Sequence, residues 1–173
     1  MVTVLDETKE YDDVWRKVDS ILEFRPSCEY RGHSLNITLP FNIKVPYVVF
    51  AIDSMKDDLN QMDELVRNAM INCSGNKEWY ALDWQHSAFR FNPCNKNEMN
   101  SVWIEDEKYI GGGYNAFFPA FYPDGDYYFF IDTDFENGYL GHPWRQEVWI
   151  FGIDFIDEIN KIADGLKWRV IEE

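Results

Sequence analysis

The chain has 173 residues, enough for a sizeable hydrophobic core, and residues 1–173 are predicted to form a single domain. Its 17% share of aromatic residues argues against disorder, although 27% of the residues are charged. The net charge of −15 would repel nucleic acid and anionic membranes and attract a basic protein. The alternative is that this charge serves only solubility, as in many acidic bacterial proteins.

The cysteines and the N-terminal residues restrict the cellular setting. Cys28, Cys73 and Cys94 form no CxxC pair, so neither a disulfide framework nor a structural zinc site is predicted. The first residues lack the charged and apolar segments of a signal peptide, and the apolar runs are too short to cross a bilayer. We therefore expect a cytoplasmic protein without membrane contacts.

The first half of the chain alternates helical and extended segments. Apolar residues three and four positions apart predict a helix near residues 10–24, which Pro26 would end. Residues 35–52 are predicted to be extended, with a buried strand at their end. A second helix is predicted at about 55–73, with Ser54 as its N-cap.

The second half is predicted to be mainly β-structure. Strands are predicted near residues 78–84, 87–92, 117–122, 126–133, 146–151 and 168–171. Residues 94–116 contain three consecutive glycines and are predicted to form a long loop around a short apolar segment. Pro123-Asp124-Gly125 is predicted to join two strands, and the last helix is predicted to begin at an Asp154 cap. This order predicts an α+β fold, with a mostly antiparallel sheet packed by about three helices.

One acidic segment resembles the beginning of a calcium-binding loop. Asp132, Asp134 and Glu136 have the spacing of its first three ligands. Asn137 replaces the required glycine, and Pro143 replaces the glutamate at the twelfth position. An acidic hairpin is therefore predicted here, and neither a metal ion nor a cofactor is expected in the protein.

Two histidines stand in aromatic blocks, where His86 follows Trp84 by two residues and His142 precedes Trp144 by two. In the functional interpretation, the two imidazoles form a metal pair or an acid–base pair, and each could be joined in space by Asp83, Asp126 or Asp134. In the structural interpretation, each imidazole fills a polar slot beside its tryptophan. No nucleophile motif or metal-ligand spacing accompanies the histidines, so catalysis is not favoured.

The Gly141-His142-Pro143-Trp144 block predicts a sharp turn between strands, because Pro143 restricts the backbone. We expect this turn to bury most of Trp144. We also expect His142 to form a hydrogen bond with Asp126 or Asp134.

The number of aromatic rings is large for one small core, with 7 Trp, 10 Tyr and 13 Phe. Some of Trp103, Tyr109, Tyr114 and Trp149 are predicted to lie on the surface, where rings with an acidic rim suit a basic protein partner. The alternative is an aromatic-rich core. The candidate binding residues are Trp84, His86, Trp103, Asp126, His142 and Trp144.

Five short motifs carry a family resemblance. They are Trp84-Gln85-His86, Phe91-Asn92-Pro93, Pro123-Asp124-Gly125-Asp126-Tyr127-Tyr128, Gly141-His142-Pro143-Trp144 and Phe151-Gly152. Together they resemble an uncharacterised bacterial family, one of the numbered domains of unknown function of Gram-positive bacteria. The resemblance covers roughly residues 78–165 and implies no activity. Arg145 stands where that family leads us to expect an acidic residue.

A coarser similarity, in the order of elements from the Gly-Asp strand at 125–131 onward, is to the Smi1/Knr4-like immunity superfamily. Its α+β proteins protect bacteria from toxins. With the charge and the rings, this favours an acidic binding protein, such as an immunity protein or inhibitor that neutralises a basic toxin or effector. One alternative is a phage-encoded inhibitor that imitates nucleic-acid charge. Another is a small-molecule enzyme with His86 and His142 in an aromatic-walled pocket.

Overall fold

The computed structural model describes residues 2–24, 42–52, 59–95 and 101–172. Three helices and ten strands lie within these ranges. In chain order they are β1 (Thr3–Val4), α1 (Lys9–Leu22), β2 (Tyr47–Ala51), α2 (Leu59–Ser74), β3 (Trp79–Asp83), β4 (Ala88–Phe91), β5 (Val102–Glu105), β6 (Gly113–Ala116), β7 (Tyr128–Asp132), β8 (Gly138–His142), β9 (Glu147–Phe151), α3 (Ile153–Ala163) and β10 (Arg169–Glu172). The predicted α+β class is confirmed.

Eight of these strands form one sheet, in the order β1-β4-β3-β7-β8-β9-β2-β10. Every neighbouring pair in this sheet is antiparallel. Strands β7, β8 and β9 form a meander at its centre, and β10 pairs with β2 at one edge, as the prediction of a final strand requires. The remaining strands, β5 and β6, form a separate antiparallel hairpin.

The sheet is covered on both faces by helices. Helix α1 packs on one face through Val14, Val18 and Leu22, while α2 and α3 pack on the other. Successive side chains of β7 pack on opposite faces of the sheet. Phe129 faces α1, and the next residue, Phe130, faces α2 and α3. None of the helices in the described ranges is long and apolar enough to cross a membrane.

In its described residues, the structure shows the start of two helices, and the one cap prediction that can be compared with it is wrong. Thr8 caps α1, where its hydroxyl accepts a hydrogen bond from the Tyr11 backbone N–H. The Asp154 cap predicted for α3 is wrong, since Gly152 occupies the cap position and Asp154 lies in the first turn. At Gly152, φ is 93°, and a Cβ would lie 2.3 Å from the side-chain oxygen of Asn137, so glycine is required. The predicted Ser54 cap and the part of the predicted extended segment at 35–41 lie outside the described residues.

Two predictions about the strands are wrong. Residues 117–122 do not form a strand, because Pro119 cannot donate a ladder hydrogen bond, and Phe118 and Phe121 pack their rings on the sheet instead. The predicted loop at 94–116 contains the β5–β6 hairpin. Consequently, Pro123-Asp124-Gly125 does not join two strands.

Strand β8 was not predicted, because its two glycines weaken the strand signal. It forms because β7 and β9 pair with it on both sides. A Cβ on Gly138 would lie 2.1 Å from the ring of Phe151, so the glycine makes room for the neighbouring strand's aromatic side chain.

Candidate functional site

A cavity of about 640 Å³ lies at one end of the main sheet. The β1–α1 connection, the β3–β4 turn, the β5–β6 hairpin with the residues after it, and the first residue of β7 form its walls. It is lined by Asp6, Glu7, Tyr11, Asp12, Asp83, Gln85, His86, Ser87, Tyr109, Tyr114, Asn115, Phe117 and Tyr128. The fold thus gathers distant parts of the chain around one opening.

The lining combines acidic groups with aromatic rings. Four carboxylates and five rings face the cavity, and His86 is the only basic side chain among the lining residues of this part of the structure. Lys108 lies beside the rim, with its ammonium 3.2 Å from a Glu7 carboxylate oxygen. The cavity therefore carries negative charge at neutral pH, and aromatic faces beside such charge favour cationic groups.

Asp6 holds two of the cavity walls together. Its Oδ1 accepts a hydrogen bond from the Ala88 backbone N–H at 2.9 Å, which attaches the β1–α1 connection to β4. Its Oδ2 accepts a hydrogen bond from the Tyr114 hydroxyl at 3.0 Å, which attaches the β5–β6 hairpin. Asp6 is therefore committed to the architecture of the cavity, whereas Asp12 has no hydrogen bond or ion pair assigned to its side chain in the described structure.

The β3–β4 turn positions His86. The Asp83 side chain accepts a hydrogen bond from the Gln85 backbone N–H, which stabilises the turn locally. The His86 backbone N–H donates to the Asp83 carbonyl, and this places the imidazole Nδ1 3.0 Å from Asp83 Oδ1. A tight turn that begins with an aspartate thus directs the histidine back onto that carboxylate.

Asp126 completes a three-residue cluster with Asp83 and His86. The Trp84 backbone N–H donates to the Tyr127 carbonyl, which holds the turn against the residue before β7. Asp126 Oδ2 lies 3.6 Å from His86 Nδ1, while its Oδ1 accepts from the Tyr127 N–H at 2.7 Å. The three side chains each offer a ligand atom, and these atoms lie within 4.8 Å of one another.

Two members of this cluster have pKa values that differ from those of the free side chains. Burial, together with the nearby Asp83, raises the pKa of Asp126 to about 6. The hydrogen bond to Asp83 raises the pKa of His86. Asp126 can therefore take up or release a proton close to neutral pH, beside an imidazole whose protonated form is favoured.

His142 lies in a different environment. It is 4% exposed, and its ring packs against Tyr127 and Trp144 at centroid distances of 5.0 and 6.2 Å. Burial lowers its pKa to about 4, and its Nδ1 has no hydrogen-bond partner in the described structure. His142 is absent from the cavity lining, so the structure does not bring the two histidines together in this cavity.

The hydrogen bond predicted for His142 is not formed. Asp126 instead faces His86, and Asp134 pairs with the Lys77 ammonium at 2.7 Å. The predicted turn starts two residues later than expected, at Pro143, because His142 is the last residue of β8 and pairs with Glu147 across the hairpin. Strand pairing thus directs His142 into the core.

The tryptophan candidates are also separated. Trp84 is partly buried against Phe24 and Tyr127. Trp144 is partly buried at the edge of the core, with its ring 5.2 Å from that of Tyr127. Trp103, on β5, is 52% exposed. Of the six candidate binding residues, only His86 lines the cavity itself.

Three of the four aromatics considered for the surface reach solvent to some degree. Tyr109 is 51% exposed and Tyr114 is half-buried, and both line the cavity. Trp149 is 1% exposed, because it lies on the sheet face that α1 covers and stacks on Tyr47. Trp149 is therefore not one of the surface aromatics.

Sequence reasoning missed the contribution of residues near the N-terminus, because Asp6, Tyr11 and Asp12 belong to no motif. It considered Asp83 as a neighbour of a histidine but did not select it. The Asp83-Trp84-Gln85-His86 string carried a usable signal, since an aspartate that starts a tight turn can accept a hydrogen bond from a side chain three residues later.

Residues 5–156 match the model of a family described as a protein of unknown function, DUF2716. The chain belongs to this family. The match includes most of the N-terminal half, which the five motifs did not cover. An uncharacterized protein of Bacillus subtilis (strain 168), YxiI, is 28% identical over 167 residues, which cover 90% of each chain. No solved structure matches the chain.

Proposed function

We propose that this protein is an acidic binding protein whose cavity receives a positively charged group of a basic partner protein. The single observation that carries the proposal is the lining of the cavity, which combines four carboxylates with five aromatic rings. A lysine or arginine side chain gains from both, through charge attraction and through contact with ring faces. The partner class is a basic toxin or effector, met in the cytoplasm.

The rim of the cavity supports this proposal. Trp103, Tyr109, Ile110 and Phe117 are between 51% and 107% exposed, and all lie in or next to the β5–β6 hairpin. Exposed rings of this kind anchor protein interfaces, while the net charge of −15 would accelerate the encounter with a basic protein. A phage-encoded inhibitor would use the same surface, and the identity of the captured partner distinguishes it from an immunity protein.

Site-specific photo-crosslinking in the native host tests the proposal. A photoreactive phenylalanine analogue would be placed at Phe117, which is 67% exposed at the cavity, and, as a control, at Ile153, which is 70% exposed on α3. We expect a basic protein to crosslink from position 117 only. Equal crosslinking from both positions, or none from position 117, would contradict the proposal.

Charge neutralisation gives a second arm of the same test. Asp12→Asn removes a cavity carboxylate, and Asp164→Asn removes an exposed one at the end of α3. We expect the first variant to bind the partner identified by crosslinking more weakly than the parent does. The salt dependence of that binding should also be smaller, because one contributing charge is lost. The second variant should behave like the parent.

A second candidate function is a small-molecule enzyme. The cavity volume lies in the range of small-molecule sites, and Asp83 orients the His86 imidazole there, as an acid–base group requires. A thermal-shift screen with small organic cations tests this candidate. Stabilisation of the parent and of His142→Asn, but not of His86→Asn, would support it.

A further inference from the structure

We propose that Asp83, His86 and Asp126 bind a divalent transition-metal ion of the zinc class beside the cavity. This proposal does not rest on a protein partner, because it concerns the cluster alone. Three lines of argument support it: the spacing of the ligand atoms, the position of two buried carboxylates that face no basic group of the described residues except His86, and the accessibility of the imidazole.

The distances between ligand atoms suit a single ion. Zinc bonds of about 2.0–2.1 Å in a tetrahedral arrangement separate the ligand atoms by about 3.3 Å. The His86 Nδ1 atom lies 3.0 Å from Asp83 Oδ1 and 3.6 Å from Asp126 Oδ2. These two separations lie on either side of the required value, and all three ligand atoms lie within 4.8 Å of one another.

A bound cation would stabilise the two buried carboxylates of the cluster. The side chains of Asp83 and Asp126 are only 10% and 8% exposed, and in the described structure both pair with no basic group except the His86 imidazole. Two adjacent carboxylates that are largely removed from water are costly unless a proton or a cation compensates them. A divalent ion bound by two carboxylates and a neutral imidazole removes this excess charge.

The second acidic cluster in the molecule makes a useful contrast. Asp132, Asp134 and Glu136 lie around the ammonium of Lys77, whose distances to their carboxylates are 3.8, 2.7 and 3.7 Å. That cluster has its cation supplied by the chain itself. The cluster beside the cavity has no such lysine among the described residues, so an external cation has a role there.

The ligand set also selects the class of ion. Calcium and magnesium prefer ligands that are all oxygen, whereas an imidazole nitrogen with two carboxylates suits zinc and related transition metals. The His86 side chain is 67% exposed and lines the cavity, so an ion bound there has an entry path. Three protein ligands leave at least one coordination position open to water or a ligand in the cavity.

Isothermal titration calorimetry with the full, chelator-treated chain tests the proposal. We expect one Zn²⁺ ion to bind per chain, with release of protons from the cluster, and Ca²⁺ and Mg²⁺ to compete poorly. Asp126→Asn and His86→Asn should each weaken Zn²⁺ binding at least tenfold, since removal even of groups that only support ligands has such effects. The control variants His142→Asn and Asp134→Asn should bind Zn²⁺ like the parent.

The visible absorption of bound Co²⁺ provides a second readout that a structural defect would not imitate. A tetrahedral site gives intense bands, and we expect them in the parent and in both controls but not in His86→Asn. That variant changes an exposed side chain, so its circular dichroism should match that of the parent. The proposal is overturned if Zn²⁺ fails to bind stoichiometrically, or if it binds equally to all four variants.

Discussion

The two histidine blocks contact the same buried ring but have opposite environments. Tyr127 is fully buried, with its ring 5.9 Å from Trp84 in one block and 5.0 and 5.2 Å from His142 and Trp144 in the other. The first block forms a turn that presents His86 to the cavity. The second ends a central strand, and its histidine is directed into the core.

The difference shows that the neighbours of a histidine decide its chemistry, even when the local composition is similar. His86 has a carboxylate three residues before it in the same turn, and the hydrogen bond to Asp83 raises its pKa. His142 has no acidic residue in its own block, and burial lowers its pKa to about 4. One imidazole is suited to exchange a proton or bind an ion, and the other remains neutral.

The largest expected effect comes from removing the ring between the blocks. We expect Tyr127→Ala to lower the free energy of unfolding by about 3–5 kcal/mol, the usual cost of emptying a buried aromatic site. Urea denaturation monitored by circular dichroism measures this loss. Tyr109→Ala is the control, because Tyr109 is 51% exposed and should cost far less. Equal losses would mean that Tyr127 does not support the two blocks.

The next effect concerns the pH dependence contributed by His142. Its pKa is about 4 in the folded chain and 6.5 without the burial, so the unfolded chain binds more protons between these values. The stabilisation is complete above pH 6.5 and is lost as the pH falls toward 4, by roughly 3 kcal/mol in total. We therefore expect His142→Asn to lose less stability than the parent when the pH falls from 7 to 4.5. If urea titrations showed the same loss of unfolding free energy in both proteins over this pH range, the prediction would be wrong.

Trp144 should have a smaller effect. Because its side chain is half-buried, we expect Trp144→Ala to cost about 1–3 kcal/mol, below the range for a fully buried aromatic residue. Thermal and urea denaturation measure the loss, and Trp103→Ala is the matched control, since Trp103 is 52% exposed. A cost of 4 kcal/mol or more would indicate that Trp144 supports the core as strongly as Tyr127.

The sequence predicted those parts of the fold that depend on local periodicity. The apolar stripe of the first helix corresponds to the buried Val14, Val18 and Leu22, and the order of elements leads to the observed class. Strand β8 and the burial of Trp149 depend on partners that are distant in the chain. Both faces of the central strands are covered, and their continuous apolar runs agree with this, but such a run does not tell which helix lies on which face.

The candidate site shows the same limit. The sequence offered Asp126 as one of several carboxylates that could join either histidine, but the hydrogen bond predicted for it was with His142. The correct link depends on the hydrogen bond from Trp84 N–H to the Tyr127 carbonyl, a contact between two segments more than 40 residues apart. The acidic wall that Asp6 and Asp12 provide depends on how the N-terminal segment crosses the sheet, and it carries no sequence motif.

The smallest effect, that of His86, distinguishes the two blocks by its sign. The pKa of His86 is raised in the folded chain, so its contribution to stability is present below pH 6.5 and is lost as the pH rises through the folded pKa. Because the side chain is 67% exposed, solvent screens the pair with Asp83, and we expect His86→Asn to cost less than about 1 kcal/mol at pH 5.5. At pH 8.5 it should cost nothing measurable.

The cost of His142→Asn should change in the opposite direction, because neutral His142 contributes most at high pH. Urea titrations of both variants at pH 5.5 and pH 8.5 measure these costs. If both costs changed in the same direction with pH, the two histidines would not differ in the way that their surroundings indicate.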